Sequence, residues 1–216
     1  LVASTVTCAT GLPASGVQTL TFRQTVVAGA ANGVAVNNTA SVTEPLVGHS
    51  NDSATASITV RNSAQVSGDK SWTDGQVGNQ VTISSTGGTN NPELVAVADT
   101  ATEVDAGSAV TVYAGETLTL AETFDVGNPA SYATDLTCTG ATDVNPSDGL
   151  SIVAADDGAN IVCTFTNTGL AEMHAAKTPG TVTGPDAVGT YEATYTVTVT
   201  NGGIAPTTYG PLVDTP

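Results

Sequence analysis

Basic residues are nearly missing from this chain. Lys and Arg together number 4 against 20 Asp and Glu in 216 residues, a formal charge of −16. Without clustered cations the chain cannot neutralise phosphates, which excludes nucleic-acid binding. It also lacks the polybasic segments that draw proteins onto anionic membranes. Aromatic residues make up only 4% of the chain, so there is little material for an exposed aromatic ligand-binding cluster. The longest mostly apolar run, Val26 to Val36, is broken by Gly29, Asn32 and Gly33. It falls far short of the ~20 residues of a spanning helix, so no membrane insertion is expected. The chain begins at Leu1 with no signal peptide, as expected of a processed or excised piece.

What is present favours strands. Roughly one residue in six is Thr and one in eight is Val. Both are β-branched and suit the pleated strand better than the helix. Charged residues at 11% and hydrophobic residues at 40% make the chain too apolar for a disordered acidic tail. Period-two alternation runs through Gln18–Val26 (Leu20 and Phe22 on one face) and Ala56–Val60 (Ile58 and Val60). Further strands are predicted at Val77–Ser84, Ala109–Tyr113, Thr117–Phe124, Ser131–Cys138, Leu150–Ala154, Ile161–Asn167 and Tyr191–Asn201. Turn signals such as Asp74-Gly75, Gly87-Gly88, Asn90-Asn91-Pro92 and Asp157-Gly158 separate them. Only Leu170–Lys177 reads as helical, and for no more than one turn. The expected fold class is all-β, built from antiparallel β-sandwiches in an elongated multi-domain arrangement. Composition shifts divide the chain into blocks 1–65, 66–169 and 170–216. The middle block has about seven strands, and each flank is too short to close a sandwich alone.

The middle block resembles a prealbumin-like domain of the Cna protein B type, found in Gram-positive surface proteins. The resemblance lies in Gly68-Asp69-Lys70-Ser71-Trp72, Leu120-Ala121-Glu122-Thr123-Phe124 and Cys163-Thr164-Phe165-Thr166-Asn167. It implies an intramolecular isopeptide bond between Lys70 and Asn167, with Glu122 as its catalyst. The flanks resemble opposite halves of an Ig-like repeat of long bacterial surface proteins. The opening half is Tyr195–Gly203 with Val213–Pro216, and the closing half is Leu12–Gly16 with Val36–Val42. That second resemblance implies a weaker candidate crosslink among Lys177, Asp214 and Asn38.

Side-chain parity bears on the first trio. Lys70 shares a strand face with Trp72, Glu122 with Phe124, and Asn167 with Phe165. Each polar member therefore points inward if the aromatics are core. Burial lowers a lysine pKa towards the neutral nucleophile and raises that of a carboxyl that must shuttle protons. The bland alternative has Lys70 snorkelling from a strand end, Glu122 on the rim and Asn167 opening a turn. Cys138 and Cys163 are either a disulfide or two buried thiols. The disulfide is the expectation, and it places the protein in an oxidising, extracellular setting. Cys8 is left over, free or paired outside the chain.

Other motifs are weak. Asp143–Gly149 has a calcium-loop flavour, but its Gly is one place late and no Glu closes it. His49 and His174 lack an HExxH context, so no metal is expected. No nucleophile elbow, P-loop or dinucleotide fingerprint occurs, so neither enzymatic turnover nor a cofactor is expected. The reading is a structural stalk or fibre segment at the cell surface or cell wall. Its partners would be neighbouring copies or adjacent repeats of the same protein. A ligand-binding adhesin module is the alternative.

Overall fold

The computed structural model describes residues 15–19, 21, 30–42 and 52–215. Among them every regular element is a strand or a single 3-10 turn, and the fold is all-β. Cys8, Leu20, Phe22, His49 and most of the predicted strand 18–26 lie outside the described residues. The chain divides into two units, residues 1–61 and 62–216.

The first unit contains an antiparallel hairpin, β1 (Ala35–Val42) with β2 (Asp52–Thr59). Alternation gives the hairpin two unlike faces. Val36, Asn38, Ala40, Val42, Asp52, Ala54, Ala56 and Ile58 share one, while Ala35, Asn37, Thr39, Ser41, Ser53, Thr55, Ser57 and Thr59 share the other. On the polar face the hydroxyls of Thr39 and Thr55 bond across the strands at 2.7 Å.

The second unit holds a two-sheet sandwich. Its strands are β3 (Ser63–Thr73), β4 (Gln80–Thr86), β5 (Leu94–Val97), β6 (Glu103–Asp105), β7 (Val110–Tyr113), β8 (Thr117–Val126), β9 (Tyr132–Thr139), β10 (Leu150–Ser151) and β11 (Asn160–Gly169). One sheet runs β10-β8-β4-β5 and is antiparallel. The other runs β6-β3-β11-β9, with β7 pairing the first half of β3. Within it β3 and β11 are parallel, so the first and last strands of the sandwich lie side by side in the same direction.

Both sheets contribute to each of two apolar clusters. Ala64, Val66, Val110, Val112, Ile161 and Cys163 meet Leu118, Leu150 and Ile152 at one end. Trp72 and Tyr132 meet Val81, Ala96 and Ala98 at the other. Full burial of side chains the size of Val or Leu stabilises by about 1.5–3 kcal/mol each, which fixes which face of every strand turns inward. On β3 that inward row reads Ala64, Val66, Gly68, Lys70, Trp72, so a lysine falls between the two clusters.

A second hairpin, β12 (Met173–Thr183) with β13 (Glu192–Asn201), belongs to the same unit. Its base is tied down at Leu170, whose N–H donates to Ser131 O and whose carbonyl accepts from Ile204 and Ala205 N–H. Ile204 packs against the Trp72 cluster. This hairpin corrects the helical reading of Leu170–Lys177, because β12 begins at Met173. Ala, Glu, Met and Lys favour a helix only weakly, and pairing along β13 overrides that preference. The predicted strand Leu150–Ala154 is also shorter than expected. It ends at Ser151, and a 3-10 turn at Ala154–Asp156 follows.

Candidate functional site

Three strands from both sheets meet at Lys70. β3 carries Lys70, β11 carries Asn167 two residues beyond Phe165, and β8 crosses from the opposite sheet with Glu122. In the parallel β3–β11 register Lys70 stands opposite Phe165, and Trp72 opposite Asn167. Lys70, Trp72 and Asn167 are wholly buried, and the Glu122 side chain is only 6% exposed.

A single carboxylate oxygen organises the group. Oε1 of Glu122 lies 2.9 Å from Nζ of Lys70 and accepts a hydrogen bond from Nδ2 of Asn167 at 3.2 Å. Nζ also donates to the carbonyl of Phe165 at 3.2 Å and sits 4.4 Å from the Trp72 ring centroid. Trp72 in turn stacks edge-on with Phe124 and Tyr132, at centroid distances of 6.2 and 5.5 Å. Tyr132 is anchored at its hydroxyl, which accepts from Gln76 N–H and Asn79 Nδ2. The aromatic wall therefore has a fixed position.

Burial lowers the Lys70 pKa. The hydrogen bond and charge of Glu122, and the charge of Asp105, work against that shift. Oδ1 of Asn167 has no hydrogen-bond partner although it is buried. An amine, a carboxylate and a carboxamide thus share a dry pocket, with the carboxylate touching both nitrogens. Chemically this is a nucleophile, a proton carrier and an electrophile.

Cys138 and Cys163 face each other across the β9–β11 register with Cα atoms 4.0 Å apart, joined as a disulfide. Cys163 lies on the same inward row as Phe165 and Asn167.

Two members of the second trio, Lys177 and Asp214, lie in one unit and are paired there. Lys177 Nζ pairs with Asp214 and lies 4.5 Å from the Tyr195 ring centroid, with both charged groups partly exposed. Asn38 sits on β1 in the other unit, opposite Ala56.

In the acidic turn at 143–149 the Asp143 carboxylate is used internally. Asp143 accepts from Asn145 and Ser151 N–H, which hold its pKa below the ordinary value. His174 pairs with Glu172 at the surface. Among the described residues no group of three or more His, Cys, Asp or Glu side chains is placed to hold a metal ion.

Sequence reading missed Asp105. It stands directly opposite Lys70 in the β3–β6 register, with a buried oxygen that has no partner. β6 is three residues long, and nothing local connects it to Lys70. The chain matches no family model, no curated protein and no solved structure.

Proposed function

We propose that the chain is a structural segment of an extracellular bacterial surface protein, a stalk or fibre element closed by an isopeptide bond between Lys70 and Asn167. The observation that carries this reading is the Glu122 oxygen bonded to both the Lys70 amine and the Asn167 amide in a buried pocket. Glu122 takes a proton from the Lys70 ammonium, and the freed amine attacks Cγ of Asn167. The Cγ–Nδ2 bond breaks and ammonia leaves. Of the three ammonium protons, one stays on the new amide, one leaves on the ammonia and one remains on Glu122. The reaction occurs once per chain, so the protein modifies itself and is not an enzyme.

The topology gives such a bond a mechanical purpose. The chain enters the sandwich on β3 and leaves it on β11, and these strands are parallel neighbours. A covalent tie between them carries a pulling force without unfolding the strands in between. It also closes a loop of nearly 100 residues, for which the chain-entropy model gives about 4.7 kcal/mol. The disulfide pins β9 to the same strand and suits an oxidising location.

The hairpins fit a chain of repeats. On β12–β13, Met173, Ala175, Lys177 and Pro179 share a face with Tyr195, Val197, Val199 and Asn201, a largely apolar face that also carries one lysine, and threonines line much of the other. The β1–β2 hairpin has a similar division, into a mainly apolar face that also carries Asn38 and Asp52 and a mainly Ser/Thr face. In a fibre, neighbouring copies or adjacent repeats of the same protein cover such faces.

A surface adhesin module is the rival reading. The cleft beside the acidic turn offers it little, because the Asp143 carboxylate is already bonded to backbone. Intact mass after reduction tests the proposal: the chain should be lighter than its sequence by one ammonia.

A further inference from the structure

Among the described residues, three buried side-chain polar atoms lack a hydrogen-bond partner: Trp72 Nε1, Asp105 Oδ2 and Asn167 Oδ1. All three belong to the surroundings of Lys70. Trp72 follows it by two positions on β3, Asn167 stands opposite Trp72 on β11, and Asp105 stands opposite Lys70 on β6. Residues directly opposite on antiparallel strands project to the same face, so Asp105 turns towards the lysine while Val104 is exposed. A buried carboxylate oxygen without a donor is unfavourable, and it persists where a neighbouring charge or a function compensates. The link after β6 is tightly held: Gly107 N–H donates to Asp69 Oδ1 at 3.1 Å, and a Cβ at Gly107 would collide with the carbonyl of Gly68.

We propose that Asp105 is a positioning residue for the crosslinking reaction, a charged brake that holds Lys70 as the ammonium and releases it on taking a proton. This inference rests on the Lys70–Asn167 bond proposed above. The charged groups around Lys70 are Glu122 from β8 and Asp105 from β6, and those around Asp105 are Lys70, Glu103 and Asp99. Charged Asp105 stabilises the ammonium and so opposes the proton transfer from Lys70 to Glu122 that the reaction requires. Burial, with the charges of Glu103 and Asp99, raises the Asp105 pKa against the pull of Lys70. Asp105 therefore accepts a proton from solvent at a higher pH than an unperturbed aspartate. Once it is neutral, the ammonium is less favoured and the amine forms more readily.

The test is a refolding series. Chain recovered unfolded and not yet crosslinked is diluted into buffers of different pH, quenched in acid and weighed intact over time. Trp72, the only tryptophan, reports folding in the same samples by fluorescence. In the wild type, ammonia loss should accelerate as pH falls from neutral through the Asp105 range. Asp105→Asn should react about tenfold faster than wild type at neutral pH, and show no acceleration over that range. A variant that reacts no faster at neutral pH, or a wild-type rate that does not rise beyond folding itself, overturns the proposal. If Asp105→Asn fails to fold, the wild-type profile decides alone. Absence of ammonia loss in both proteins would remove the crosslink itself, a different failure from ammonia loss that ignores Asp105.

Discussion

Asn167 on β11 stands directly across from Trp72 on β3 in the parallel pairing, and both side chains are wholly buried. The carboxamide is thereby held one step along the strands from Lys70, against an aromatic wall that excludes water. Desolvation lowers the Lys70 pKa, which favours the neutral amine that the proposed reaction needs, and the buried amide oxygen of Asn167 has no hydrogen-bond donor. The proposed chemistry therefore follows from strand register as much as from residue type.

Glu122→Ala should fold but remain unbonded. The variant would weigh one ammonia more than expected for a crosslinked chain of its sequence. Relative to the crosslinked chain, the missing bond removes about 4.7 kcal/mol on the loop model, and Lys70 is left as a buried amine without its carboxylate partner. Thermal unfolding and limited proteolysis should both show the loss. A Glu122→Ala chain that loses ammonia as fast as wild type would exclude Glu122 as the proton carrier.

The Cys138–Cys163 disulfide closes a 25-residue loop, for which the same entropy model gives about 3.5 kcal/mol. Replacing both cysteines with alanine should lower the unfolding temperature without altering ammonia loss. Peptide mapping without reductant should recover the two cysteines joined. A Cys8–Cys138 or Cys8–Cys163 peptide would contradict that pairing.

Much of this was legible one strand at a time. The alternation of Ile161, Cys163, Phe165 and Asn167, and of Lys70 with Trp72, is visible in sequence because burial acts at period two. Pairings between distant strands were not legible. β5 and β6 have four and three residues, too few to show a period, and Asp105 gains its meaning only by standing opposite Lys70. β12 was misread because Met173, Ala175, Ala176 and Lys177 are helix formers by composition, and only the β13 partner makes them a strand.

Asp156 should govern part of the acid stability. Burial works to raise its pKa, but hydrogen bonds from the Thr142 hydroxyl and from the Val153 and Thr142 N–H groups outweigh burial and lower it. A folded value below the unfolded ~3.9 means the stabilisation is complete above ~3.9. It is lost as pH falls through the folded value. Asp156→Ala should cost about 1–3 kcal/mol at neutral pH, the penalty for unsatisfied buried partners. The gap to wild type should close only at pH below ~3.9. A gap independent of pH would contradict the role of the ionised carboxylate.

Light scattering across a concentration series addresses the hairpins. If neighbouring copies cover their apolar faces, particle size should rise with concentration, and Val199→Lys on β13 should suppress the rise. A strictly monomeric particle at every concentration would remove assembly between copies from the proposed function.

The most direct measurement is the intact mass of the folded protein before and after reduction. The expected result is a reduced chain lighter than its sequence by one ammonia, with Lys70 and Asn167 recovered in one branched peptide after digestion. A reduced chain at its full sequence mass would contradict the isopeptide bond, and with it the mechanical role proposed for the sandwich.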